Sequence, residues 1–173
     1  MTSAPSPDGR RILVAVVTGE VGDRIQSWRE KHDPEEAKRL PPHATLCYWA
    51  PEVEPEKLER QVRHAFPAPF EVRLGDVRKG DNDQETFYVE VVDREPLDGA
   101  LACLYDGTHV EMPRRRDGWL WHITCVRESR GRDQDALMAA ARELCLDAPW
   151  SVDTVAYMEL QGDAYVQLAC WNL

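Results

Sequence analysis

With 173 residues, 43% hydrophobic and 30% charged, the chain has the makeup of a folded globular protein able to bury a real core, as one domain or two small fused lobes. Its longest strongly apolar run, Ile12–Val17, is far too short for a helical membrane span, and 21 basic against 31 acidic residues leave a formal charge of −10, a poor balance for non-specific binding to duplex nucleic acid. Five cysteines with no C-x-x-C spacing argue against a disulfide framework and a structural zinc site; all fall in apolar stretches and are expected as buried free thiols.

Residues 1–10, "MTSAPSPDGR", are broken by Pro5, Pro7 and Gly9 and read as a flexible lead-in. No cationic segment followed by an apolar run opens the chain, so neither signal peptide nor anchor is expected and the location expected is the cytoplasm. A strand over Ile12–Val17 precedes a helix over about Asp23–Glu30. "DPEE" then starts a second helix, with Asp33 as N-cap and Pro34 in its first turn. Pro41 and Pro42 stop that helix and feed a strand at His43–Trp49. A helix from Pro55 carries Leu58, Val62 and Phe66 on one face, and a strand follows at Phe70–Val77. "RKGDNDQE" is the most loop-like stretch, near the middle of the chain.

The same order then recurs. Thr86–Val92 reads as a strand, and Pro96 opens a helix with Leu97, Leu101 and Leu104. A loop leads to the strand Trp119–Val126, and the helix "RDQDALMAAARELCL" follows. Ser151–Leu160 and Tyr165–Trp171 form a closing hairpin around Gly162. Element order therefore suggests duplicated units at about 11–78 and 86–160, closed by a strand at 164–171, inside a single domain spanning 11–173. Two α+β lobes are expected to face each other about a pseudo-twofold axis.

Each middle strand carries a histidine, any residue, then a threonine: "HATL" at 43–46 and "HITC" at 122–125. Residues i and i+2 of a strand share a face, so His43 pairs with Thr45 and His122 with Thr124, while Leu46, Tyr48, Trp121, Ile123 and Cys125 face the other way. Two imidazoles can take and give a proton, and two hydroxyls can donate to phosphate oxygens. Together they suit phosphodiester cleavage without a metal. One such motif in a strand is commonplace; two at equivalent places are not. Coordination by two histidines alone is incomplete, so no metal and no cofactor is expected.

The paired motifs, with the "PPH" lead-in and the terminal hairpin, resemble the two-histidine (2H) phosphoesterases, which include bacterial 2′-5′ RNA ligase-like proteins and cyclic nucleotide phosphodiesterases. The resemblance runs from about Arg11 to the C-terminus. It implies a bilobal α+β fold with antiparallel sheets lining a cleft and helices outside. It also implies a catalytic tetrad of His43, Thr45, His122 and Thr124. In some members the second motif continues to an arginine; "HITCVR" keeps it as Arg127, a phosphate-binding candidate, with Cys125 and Val126 before it.

Trp49, on the His43 face by alternation, could stack on a base or simply pack. Arg114–Arg116 with Trp119 could grip a phosphate as a lid or be a solvated run, with Arg116 and Trp119 the binding candidates. The reading is a phosphoesterase acting on a 2′,3′-cyclic phosphate or 2′-5′ linkage of a small nucleotide or RNA end, with no long duplex and no membrane as partner, as a monomer. The alternative is a non-catalytic nucleotide or RNA-end binder using the same cleft.

Overall fold

The apolar run near the start becomes β1 (Arg11–Val16), which is buried on both faces. Leu13 and Ala15 join the main core; Ile12 and Val14 join a smaller cluster with Leu40, Ala156 and Met158. A strand covered on both sides needs no polar alternation, hence its continuous hydrophobic sequence. The computed structural model describes residues 9–113, 120–144, 146 and 149–173. After β1 come α1 (Gly19–His32), α2 (Pro34–Arg39), β2 (His43–Cys47), α3 (Pro55–Ala65), β3 (Phe70–Lys79) and β4 (Phe87–Val91). Then follow α4 (Glu95–Leu104), β5 (His122–Val126), α5 (Gln134–Arg142), β6 (Pro149–Val152), β7 (Thr154–Gln161) and β8 (Ala164–Asn172).

All eight strands form one antiparallel, curled sheet in the order β6-β3-β4-β5-β2-β1-β7-β8. This is the α+β class expected. Helices α1, α3, α4 and α5 bury Ile25, Leu58, Val62, Leu97, Leu101 and Leu137 against one face of it, where Ala44, Leu46, Ile123 and Cys125 also point. Each fully buried Leu or Val of this core contributes roughly 1.5–3 kcal/mol relative to exposure. Between β7 and β8 a two-residue turn, Gly162–Asp163, takes its first residue at φ 61°, which suits glycine.

Three sequence expectations need correction. Ser151–Leu160 is not one strand: Asp153 divides it, β6 pairing with β3 at one edge while β7 lies beside β1. The alternation of Trp150 and Val152 is interrupted by two polar residues in a row, Asp153 and Thr154, and that interruption marks the break. The expected buried thiols are found only in part, since Cys47 and Cys125 are buried while Cys103 and Cys170 are exposed, and Cys145 lies outside the described residues. Cys103 lies off the Leu97–Leu101–Leu104 stripe of α4, and Cys170 is on edge strand β8. The two His-x-Thr strands do not face each other across a gap; they are neighbours in one sheet, joined at Ala44 opposite Ile123.

Helix α2 sits where it does because of Asp33. Its carboxylate caps the helix by accepting from the Glu36 amide at 3.4 Å, and its other oxygen accepts from the Arg127 amide at 2.8 Å, tying α2 to the end of β5. Loss of an N-cap typically costs about 0.5–2 kcal/mol. Asp33→Ala is therefore expected to lower the melting temperature by about 2–4 °C per kcal/mol lost. Asp33→Asn, which keeps an acceptor for one of the two amides, loses less in the same calorimetric scan.

Candidate active site

The seam between β2 and β5 builds the site. Because Ala44 lies opposite Ile123 in an antiparallel pair, continuing the register sets His43 opposite Thr124 and Thr45 opposite His122. Ala44 and Ile123 are buried on the helix side, so these four neighbours share the other face. Directly opposed side chains have Cβ atoms about 4.5–5.5 Å apart and diagonal ones about 7–8 Å. The two imidazoles thus occupy one diagonal of a square and the two hydroxyls the other.

Both rings are held the same way. His43 Nδ1 donates to the Pro41 carbonyl at 2.8 Å, and His122 Nδ1 donates to the Leu120 carbonyl at 2.9 Å, each two residues upstream. A carbonyl can only accept, so Nδ1 carries the proton in both and Nε2 is the atom each ring offers to a ligand. The Tyr88 ring meets His122 edge-on, with centroids 5.5 Å apart, and steadies it from β4.

A matching irregularity follows each motif. Pairing with β1 jumps from Val14–Thr45 to Leu13–Cys47, leaving Leu46 as an extra residue; pairing with β4 jumps from Tyr88–Thr124 to Phe87–Val126, leaving Cys125 extra. These are β-bulges, and a bulge shifts every later side chain to the opposite face. Leu46 and Cys47 are accordingly buried in succession, as are Cys125 and Val126. Strict alternation would turn Tyr48 away from His43 and Trp49 toward it. Past the bulge it is Tyr48 that lines the pocket, while Trp49 lies outside the lining, 57% exposed, with the Arg10 guanidinium 5.6 Å from its ring centroid. The second bulge brings Arg127, five residues after His122, to the place that Tyr48 occupies five residues after His43.

The resulting pocket, about 360 Å³, brings together His43, Thr45, His122, Thr124 and Arg127. Its size falls within the range of small-molecule sites. Sequence reasoning turned Tyr48 away from the site and did not assign Arg10, Arg39, Glu36, Asn82, Gln84 or Tyr165 to it; all of these line the wall, with Ile12, Leu40 and Thr86. Asn82 and Gln84 come from the central "RKGDNDQE" loop, legible as a loop but not as part of a site. Arg116 and Trp119, with the rest of the Arg114–Arg116 run, lie outside the described residues.

Electrostatics separate these groups. Dense protein around His43 pushes its imidazole pKa down to about 4; the Pro41 hydrogen bond works against this, and the nearby Arg29 and His122 add to it. Glu36 is buried, which raises its carboxyl pKa even though Arg127, Arg29 and Arg39 all favour its charge. Its Oε2 lies 3.6 Å from Arg127 Nη1. The two thiols of the motif strands are poor nucleophiles: burial raises Cys47 and pushes Cys125 up to about 12. Among the described residues no group of three or more His, Cys, Asp or Glu side chains is arranged to hold a metal ion, and no helix is long and apolar enough to cross a membrane.

Comparison with known proteins bears on this arrangement. Solved structures of similar fold include Escherichia coli LigT with 3′-AMP, at 18% identity and TM-score 0.56, covering 96% of this chain and 99% of LigT. LigT with ATP matches at 18% identity and TM-score 0.58, covering 97% and 99%. A conserved Agrobacterium tumefaciens protein of unknown function matches at 17% identity and TM-score 0.53, covering 95% and 86%. No curated protein sequence matches the chain. The model of the 2′-5′ RNA ligase superfamily matches residues 18–164, both His-x-Thr strands included. The chain belongs to that superfamily, the two-histidine phosphoesterases.

Proposed function

We propose that this protein hydrolyses a 2′,3′-cyclic phosphate or a 2′-5′ phosphodiester at an RNA end or on a nucleotide, using His43 and His122 as an acid–base pair and no metal ion. The observation that carries this reading is the Ala44–Ile123 register, with both Nδ1 atoms engaged and both Nε2 atoms left for the ligand. His43, held neutral at physiological pH, suits the base: its Nε2 takes a proton from water as the water oxygen bonds to phosphorus. His122 suits the acid, giving its proton to the departing 2′ or 3′ oxygen as that P–O bond breaks. Thr45 and Thr124 donate to the non-bridging oxygens, and Arg127 offsets charge gathering on the phosphoryl group. A phosphomonoester results. LigT has been crystallised with 3′-AMP, a nucleotide of this class.

The matching bulges support reading the chain as duplicated units at 11–78 and 86–160 closed by the strand 164–171. The motif does not mark which half acts as base; the lowered pKa of His43 favours the assignment given. In a panel of 2′,3′-cyclic nucleotides and 2′-5′ dinucleotides followed by phosphorus NMR in EDTA, at least one substrate is expected to yield a monoester. Binding without turnover across the panel would leave only a nucleotide-binding protein. As the base, His43 must be deprotonated, so kcat/KM is expected to fall as pH drops through about 4 rather than near 6.5. A kcat/KM that shows no fall as pH drops through about 4 would remove His43 as the base.

A further inference from the structure

Arg10 and Arg39 are not used in the chemistry above, yet both line the same pocket. They come from opposite directions, one just before β1 and the other at the end of α2, and converge on a single ring. The Arg10 guanidinium lies 5.7 Å and that of Arg39 5.6 Å from the Tyr165 ring centroid, and Arg10 Nε donates to the Tyr165 hydroxyl at 3.0 Å. The ring orders both cations without neutralising either.

Their surroundings are unusual for an acid-rich chain. Arg11 pairs with Glu159, Arg63 with Glu59 and Arg78 with Glu90, but among the described residues neither Arg10 nor Arg39 has a carboxylate within ion-pair distance. Glu36, the carboxylate of the pocket wall, has Arg127 as its ion-pair partner. Arg39 Nε is also buried with no acceptor. Two ordered guanidiniums that repel each other, one with an unused buried donor, match a ligand bringing negative charge and several acceptor oxygens. Ile12 and Leu40 line the same pocket, giving a nucleoside apolar surface to lie against.

Resting on the phosphoesterase reading, we propose that Arg10 and Arg39 form a second phosphate subsite, so that the ligand carries two phosphoryl groups. One occupies the histidine–threonine square; the other lies between the guanidiniums on Tyr165. The second group is a 5′-phosphate on the same nucleoside or the next internucleotide link of an RNA end.

Calorimetric titration of the full chain tests this without relying on turnover. The probes are adenosine 3′-monophosphate, adenosine 3′,5′-bisphosphate and the dinucleotide cytidylyl-adenosine 3′-phosphate. At least one two-phosphate probe is expected to bind about tenfold or more tighter than the monophosphate, and Arg39→Gln or Arg10→Gln to bring that ratio near one. A gain confined to the bisphosphate identifies a terminal monoester as the second group; a gain confined to the dinucleotide identifies the internucleotide link. Arg10→Gln, which leaves the buried Arg39 Nε alone, decides the matter where Arg39→Gln fails to fold by circular dichroism. Equal affinities for all three probes, or a preference that survives the folded glutamine variants, overturns the subsite. A bisphosphate preference without hydrolysis of any cyclic substrate keeps the subsite and removes the hydrolytic reading; hydrolysis without the preference does the opposite.

Discussion

His43→Ala and His122→Ala are each expected to lower kcat/KM for a 2′,3′-cyclic nucleotide by about 10²–10⁴-fold, the usual range for a positioned acid or base. The double variant should lose little more than the worse single one, because an acid and a base that act in one step are not additive. The two single variants differ in their pH profiles. Losing His43 removes the acidic limb near pH 4, whereas losing His122 leaves it. Both side chains lie on the ligand face of the sheet and make one backbone hydrogen bond each, so both variants should fold. Undiminished turnover by the folded double variant would falsify acid–base catalysis by this pair.

Arg29→Met is expected to act on stability and on His43 together. Arg29 is fully buried, and its Nη2 donates to the carbonyls of Glu36 and Leu40 at 2.8 Å each, while Nε and Nη1 have no partner. Removing the guanidinium leaves the buried Leu40 carbonyl without that donor, at about 1–3 kcal/mol, while the Glu36 carbonyl keeps the Leu40 amide. It also ends the burial of a charge that desolvation disfavours, which returns part of that cost. The first effect wins, because the apolar replacement cannot serve the Leu40 carbonyl; the net loss expected is about 1–2 kcal/mol, read as a lower urea midpoint. The second effect has a definite sign. The Arg29 charge helps hold the His43 pKa down, so its removal raises that pKa above about 4 and moves the His43 ring signals in an NMR titration toward neutral pH. An unmoved titration with lowered stability would make Arg29 a purely structural anchor of the Leu40–Pro41 segment.

Much of this site was legible because its logic is local. The i, i+2 spacing alone sets His43 with Thr45 and His122 with Thr124, and the repeated element order suggests that the two pairs belong together. Period-two reasoning failed where the strands stop being regular. Leu46 and Cys125 are inserted residues, and from sequence a bulge looks like ordinary strand, so Tyr48 and Trp49 were assigned to the wrong faces. A signal was present in retrospect: both motifs are followed by two consecutive core-type residues, Leu46–Cys47 and Cys125–Val126, where alternation calls for one. Arg127 was reachable only through family resemblance, since alternation favours Val126. Arg10, Arg39, Gln84 and Tyr165 had no local signal at all. They reach the pocket from a strand end, a helix end, a loop and an edge strand, and only the curl of the sheet makes them neighbours.

One residue joins the two flanks of that curl. β6 is one edge of the sheet and β7 lies next to the other, yet only Asp153 separates them. Its carboxylate accepts from the hydroxyls of Thr18 and Thr154, and its carbonyl accepts from the Leu173 amide. Strand pairing on one side and this covalent corner on the other make a closed hoop around the chain's midline. The β2–β5 seam cannot swing open as a hinge without straining that clasp on the far side. Ligand entry then falls to side chains and rim loops, and the spacing of the two imidazoles is set at folding rather than by domain closure.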